Sequence, residues 1–204
     1  MDFFTSDWHL NDELILKVCK RPFKNAARMT EVIVQRANQR AKLKTDNIIH
    51  VGDFIQRGLD RGTGDKDTQV SAKAVLANLW ANVLLIEGNH DENNRCHTVG
   101  KVLFRKVGKF DCIVQHFPST ARKQGGLFFD ASILSKSLSP MSETVINICG
   151  HVHDKWAFCY DETLDILNVN VGIDIYPYMI KECDLATKIE AELKRLGKRA
   201  CWFL

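Results

Sequence analysis

The chain lacks any apolar run long enough to cross a bilayer. Nothing after Met1 resembles a secretory signal, because the acidic Asp2 leads directly into a strand-like run. These two absences predict a cytoplasmic protein with no membrane contact. There is no internal repeat and no low-complexity linker, so one domain over 1–204 is expected, long enough to bury a sizeable core. The seven cysteines are Cys19, Cys96, Cys112, Cys149, Cys159, Cys183 and Cys201. They are odd in number, dispersed and never spaced Cys-x-x-Cys, which argues against a disulfide framework or a zinc finger and for reduced thiols. A large charge of one sign is missing too. A net charge of +3 neither demands nor excludes nucleic acid, and no extended basic tract for a duplex is present.

What the chain does have is five short polar clusters: Asp7-Trp8-His9, Gly52-Asp53, Gly88-Asn89-His90-Asp91, Gln115-His116 and Gly150-His151-Val152-His153. Most follow an apolar run that reads as a strand. Ile48-Ile49-His50-Val51 leads into Gly52-Asp53, Val83-Leu84-Leu85-Ile86 into Gly88-Asn89, and Val145-Ile146-Asn147-Ile148 into Gly150-His151. Sheets covered by helices bind ligands beyond the carboxyl ends of their strands. The chain therefore brings oxygen and nitrogen donors repeatedly to one sheet edge. Asp, Asn and His together suit a borderline divalent cation better than a thiolate-seeking one. A lone Asp-x-His is common by chance, and the ordered set of five is what carries the inference.

Between the clusters, apolar spacing at Ala26, Met29, Ile33, Val34, Ala37 and Ala41 predicts a helix over 25–43. Strands are expected over 3–6 and 47–51, a Gly-rich loop over 54–67, a helix over 68–80, a strand over 83–86 and a loop over 91–100. A hairpin of 102–107 and 110–115 should turn at Gly108-Lys109. Residues 117–142 read as a connection with a short helix over 132–138. Strands over 156–160 and 164–171 should flank an Asp161-Glu162 turn. A last helix over 184–196 has Asp184 as its expected N-cap and Gly197 as its stop. Alternating strands and helices, then further strands, predict an α/β fold of two sheets packed as a β-sandwich with helices outside. His50 and Cys149 read as structural, and Trp156 as core. Arg95, His97 and Lys123 read as solvated.

With those motifs in view, the chain resembles the calcineurin-like metallophosphoesterases, of the small single-domain kind found in bacteria and phages. The resemblance runs from Phe3 to about Asp174 and includes Arg21-Pro22-Phe23 and Asn170-Val171-Gly172-Ile173-Asp174. It implies the four-layer fold of that family and a centre of two divalent metal ions, with manganese expected first and iron, nickel or zinc as alternatives. It implies that Asp7, His9 and His153 hold one ion, that Asn89, His116 and His151 hold the other, and that Asp53 bridges them. Such a pair of cations binds phosphate oxygens and lowers the pKa of a shared water. It implies that His90 acts as general acid toward the leaving oxygen and, with Asn89, meets the substrate. Arg57 reads equally as a substrate contact, because a guanidinium forks onto phosphate oxygens, or as a solvated loop residue.

One departure stands out. Many relatives carry Gly-Asp-x-x-Asp-Arg-Gly, whereas here Gln56 stands where the second carboxylate would be. Either Asp91 substitutes for that carboxylate or His90 is a weaker acid-base group, and Gln56 reads equally as an orienter of His90 or as a plain loop residue. A neutral partner fits an acidic leaving group, so hydrolysis of a small phosphodiester, such as a nucleotide, is expected. A nuclease acting on RNA or single-stranded ends, and a non-catalytic interaction scaffold on the same fold, are the alternatives. Asn170 and Asp174 read equally as supports of the site or as turn residues.

Overall fold

The computed structural model describes residues 1–56, 70–91, 97–123, 126–127, 143–177 and 179–200. The apolar runs become the parallel middles of two sheets. In the first, β1 (Asp2–Thr5), β2 (Asn47–Val51) and β3 (Asn82–Ile86) lie side by side and parallel. Parallel neighbours need crossovers, and helices supply them. α1 (Glu13–Val18) and α2 (Ala26–Arg40) lie between β1 and β2, and α3 (Ala72–Asn78) lies between β2 and β3. The second sheet draws on β4 (Val102–Val107) and β5 (Phe110–Gln115), which form the expected hairpin. After the two-residue pair β6 (Arg122–Lys123) and β7 (Gly126–Leu127) come β8 (Val145–Cys149), β9 (Phe158–Asp161) and β10 (Ile166–Asn170). The order is β4-β5-β8-β10-β9, with β5, β8 and β10 parallel. β11 (Ile180–Lys181) returns to the first sheet as an antiparallel edge beside β1, and α4 (Glu182–Leu196) follows at once.

Alternation along the strands sorts side chains into two cores. Phe3, Ile48 and Leu85 face the helices, against Met29, Ile33 and Ala37 of α2 and Ala72 and Val75 of α3. Phe4, Ile49 and Ile86 face the second sheet, against Val114, Ile146, Ile148 and Val169, with Leu185, Ile189 and Leu193 of α4 closing that layer. Each fully buried residue of this size contributes about 1.5–3 kcal/mol. The expected two-sheet sandwich with outer helices is the observed architecture.

Several boundaries differ from the sequence reading. α2 runs over Ala26–Arg40, capped by the Asn25 side chain on the Arg28 amide at 2.9 Å. The helix expected over 68–80 shrinks to Ala72–Asn78, because the Ser71 hydroxyl caps the Ala74 amide and Leu79 is already extended. Asp184 is not an N-cap. β11 feeds directly into α4, so Lys181 takes that place without a side-chain cap, and Glu182 and Asp184 sit in the first turn. There they complement the positive end of the helix dipole. The strands expected over 156–160 and 164–171 are Phe158–Asp161 and Ile166–Asn170, and Trp156 is half-buried rather than core. α1 was not anticipated. Its cap is Asp12, which accepts from the amides of Leu14 and Ile15. The short helix expected over 132–138 lies outside the described residues, as does the loop beyond Gln56.

Candidate metal centre

The two sheets present their parallel carboxyl ends at one edge of the sandwich. Asp7, Asp53 and Asn89 follow β1, β2 and β3, while His116 and His151 follow β5 and β8. Backbone bonds lace these turns together: Asp7 amide to Gly52 carbonyl, His9 amide to Asp53 carbonyl and Gly150 amide to His116 carbonyl, each 3.0 Å. Five of the seven expected ligands, Asp7, His9, Asp53, His151 and His153, have φ between 48° and 71°. A residue other than glycine in this left-handed region costs of order 1–3 kcal/mol, and such strain gathers at functional sites. The turns leave no room for a larger residue at Gly150, where a Cβ would meet Ser6 Oγ and Asp7 Oδ2. A Cβ at Gly88 would likewise run into Asp53.

The side chains converge. Asp7, His9 and His153 bring ligand atoms within 4.8 Å of one another, and so do Asp7, Asp53 and His116. Asp53 sits between the two groups, with Oδ2 3.4 Å from His9 Nε2 and 3.3 Å from His116 Nε2. Asn89 Oδ1 lies 3.0 Å from His116 Nε2 and 3.2 Å from His151 Nδ1. All seven expected ligands therefore meet in one place.

Asp7, His9, Asp53 and His116 are at most 2% exposed, so their charges must be balanced locally. Burial pushes the Asp7 carboxyl up, against the pull of His116 and His153. Burial also opposes the charge on Asp53, but His116 above all, then His9 and His90, holds its carboxyl below the ordinary range. Burial disfavours a charged His116 as well. The charge and hydrogen bond of Asp53, with the charge of Asp7, outweigh it and lift the imidazole to about 9. Burial, His116 and other cationic neighbours lower His151 to about 4 despite Asp53. His9 is pushed far down by burial, then by His153, His90 and Arg21, so it stays neutral. Neither nitrogen of its buried ring has a hydrogen-bond partner. An unpaired neutral imidazole between two buried carboxylates is a donor set that a divalent cation fits, and binding it would displace the proton held by His116.

His90 lies beside this cluster, with Nε2 3.9 Å from Asp53 Oδ2 and its amide bonded to Asp53 Oδ1 at 2.8 Å. Its Nδ1 meets Gln56 Oε1 at 2.6 Å, so Gln56 occupies the orienting position. A carbonyl oxygen there accepts from Nδ1 and fixes the orientation of the ring. Asp91 has a different task. It accepts from the amides of Asp53 at 2.7 Å, Phe54 at 3.0 Å and Gly88 at 2.9 Å, pinning the left-handed Asp53 turn.

Of the two late candidates, Asp174 supports His153 Nδ1 at 3.0 Å. Asn170 donates to the carbonyls of His153 and Trp156 and accepts from Gly172, which makes it both a support and a turn residue. Sequence reasoning missed the role of Arg21, buried and paired with Asp174 at 2.7 Å. The only signal was its place in Arg21-Pro22-Phe23. Arg57 and Arg95 lie outside the described residues, and His97 is exposed.

The uncharacterized protein MJ1445 of Methanocaldococcus jannaschii is 30% identical over 90 residues, which cover 44% of this chain and 46% of that protein. The chain thus spans about half the length of the curated relative it matches. A protein of unknown function from Aquifex aeolicus, AQ665, shares the fold in its crystal structure, with a TM-score of 0.62 at 18% identity, over 96% of this chain and 98% of that one. The model of the calcineurin-like phosphoesterase family matches residues 3–156, the stretch that carries all five clusters, and the chain belongs to that family.

Proposed function

We propose that this protein is a metal-dependent phosphodiesterase that binds two divalent cations and hydrolyses a small phosphodiester, such as a nucleotide. The observation that carries the reading is Asp53, whose Oδ2 stands 3.3–3.4 Å from histidines on both sides of the site. In this reading Asp7, His9 and His153 hold one cation and Asn89, His116 and His151 the other, with Asp53 shared. Two such cations, when bound, draw the phosphate oxygens together and make water a nucleophile at neutral pH. His90 delivers a proton from Nε2 to the leaving oxygen, and Gln56 keeps its ring turned for that transfer. Arg57, next to Gln56 in the chain, is our candidate for holding substrate phosphate together with Asn89. The neutral amide of Gln56 supports the diester preference, because it does not stabilise a charged His90 as a carboxylate would.

The test is turnover after chelation and readdition of manganese, on bis-para-nitrophenyl phosphate and on the para-nitrophenyl monoester. A faster diester rate supports the reading, and a strong monoester preference overturns the substrate class. Cleavage of single-stranded RNA but not of small diesters would make it a nuclease. Metal binding with no turnover on any phosphoester would make it a scaffold.

A further inference from the structure

We infer that Arg21 is a positioning residue for one half of the centre: through Asp174 it sets the ring of His153, and through two main-chain carbonyls it holds the Asp7 turn. The inference rests on the two-cation reading above and adds to it an asymmetry between the two positions.

Arg21 is 8% exposed, and its five N–H groups have five acceptors. Nε donates to Asp174 Oδ1 at 2.7 Å and one terminal nitrogen to Asp174 Oδ2 at 2.8 Å. That second nitrogen also donates to the Asp7 carbonyl at 2.7 Å. The other terminal nitrogen reaches the Trp8 carbonyl at 2.8 Å and Met29 Sδ at 3.5 Å. The carbonyls belong to the turn in which Asp7 and His9 take left-handed backbone. Asp174 Oδ2 meanwhile faces His153 Nδ1 at 3.0 Å. A ring whose Nδ1 donates to a carboxylate keeps Nε2 as its lone-pair donor and becomes a stronger ligand. One guanidinium thus joins the turn that carries Asp7 and His9 to His153, which lies far away in the chain. The other position has different anchors: His116 Nδ1 rests on the Val51 carbonyl at 2.9 Å, and Asn89 lies between His116 and His151. Cys19, His153 and Asp174 also cluster within 4.8 Å, but a guanidinium on both Asp174 oxygens opposes a further cation there.

The experiment is calorimetric titration of the metal-free protein with manganese, with bound metal counted by elemental analysis, for wild type, Asp174→Asn, Arg21→Lys and Arg21→Met. The expected result is that Asp174→Asn and Arg21→Lys weaken one binding event by ~10- to 100-fold and leave the other within about threefold. Lysine has three donors and no planar fork, so it does not restore the clamp. In a His116→Ala background, the event that survives should be the one that Asp174→Asn weakens. Equal weakening of both events alongside a drop in the melting temperature of the metal-free protein would mark Arg21 as generally structural and overturn the inference, as would no change. Should Arg21→Met fail to fold, Asp174→Asn decides alone, since it preserves shape and removes charge. A single ion bound to wild type would sink the two-cation reading, and the positioning role would then stand or fall on whether Asp174→Asn weakens that ion.

Discussion

On the outer face of the second sheet, Asn168 is fully buried and every polar atom of its side chain is matched. Its Oδ1 accepts from the Ser119 amide and from Asn147, and its Nδ2 donates to Ser119 Oγ and the Cys159 carbonyl. At the carboxyl edge of the sandwich, His9 is just as buried, yet neither ring nitrogen is bonded, and its backbone is left-handed. Both regions bury polar side chains at a cost. Asn168 recovers the cost with protein partners on ordinary strand backbone, whereas the adjacent Asn147 leaves only its Oδ1 without one, and so this cluster is architecture. The second adds backbone strain to unpaired ring nitrogens, a setting that a divalent cation fits. His50 marks the boundary between these cases. It is unpaired, but it lies on a strand with its ring edge-on to Trp8 and Phe54, which is the setting of a core residue.

Changes at the edge should therefore abolish function and spare the fold, while changes on the outer face should do the reverse. The largest effect is expected from Asp53→Ala. It should lower kcat/KM on the order of 10,000-fold, about 5 kcal/mol of transition-state stabilisation, more than any other ligand change. The gain in melting temperature on adding manganese should vanish with it. Near-normal turnover with metal content preserved would remove the bridging role.

His90→Ala should keep both metals and lose ~100- to 10,000-fold on a diester with a poor leaving group. The loss should shrink when the leaving group is already a stable anion. An equal loss on good and poor leaving groups, with metals intact, would instead make His90 a substrate-positioning group.

Asn168→Ala is the opposite probe. It withdraws a partner from Ser119, Asn147 and Cys159 at once, and should cost about 3 kcal/mol in urea unfolding. Turnover per folded molecule should stay near wild type. A selective loss of activity without a stability loss would erase the distinction between the two regions.

The smallest effect concerns His50 and acid. Burial holds its imidazole down to about 3, with Asp53 pulling it up and His116 pushing it further down. The folded value lies below the unfolded value of about 6.5, so the unfolded chain takes up the proton first. Its stability contribution is full above about 6.5 and drains as pH falls toward about 3, by roughly 2 kcal/mol at pH 5. His50→Phe should flatten the stability-versus-pH slope of the metal-free protein between those limits while leaving turnover near wild type. An unchanged slope would show that His50 is not neutral in the fold.

Much of the site was legible because its signal is local. A parallel strand buried on both faces is an apolar run, and a glycine beside a polar residue marks its carboxyl end. Asp53, Asn89 and His151 could therefore be placed from short strings, Asp7 from the end of the first strand-like run, and His116 from the exit of a hairpin. The ends of helices were less legible. Capping at Ser71 and the abrupt passage from β11 into α4 depend on what the neighbouring chain is already paired with. A six-residue helix such as α1 and a two-residue strand such as β11 are too short to show a period.

The sequence by itself determined the two sheets, the edge at which the donors gather and the kind of cation those donors suit, because strand alternation and turn chemistry act over a few neighbouring residues. Only the tertiary structure decided which side chain supports which. It set Gln56 rather than Asp91 at the Nδ1 of His90, used Asp91 to pin the backbone at Asp53, and brought Arg21 onto Asp174 and the Asp7 turn. Arg21 and Asp174 lie 153 positions apart. Their meeting depends on how β1 and the end of β10 close against each other, as the Ser6–Gly172 bridge shows, and no local pattern encodes that.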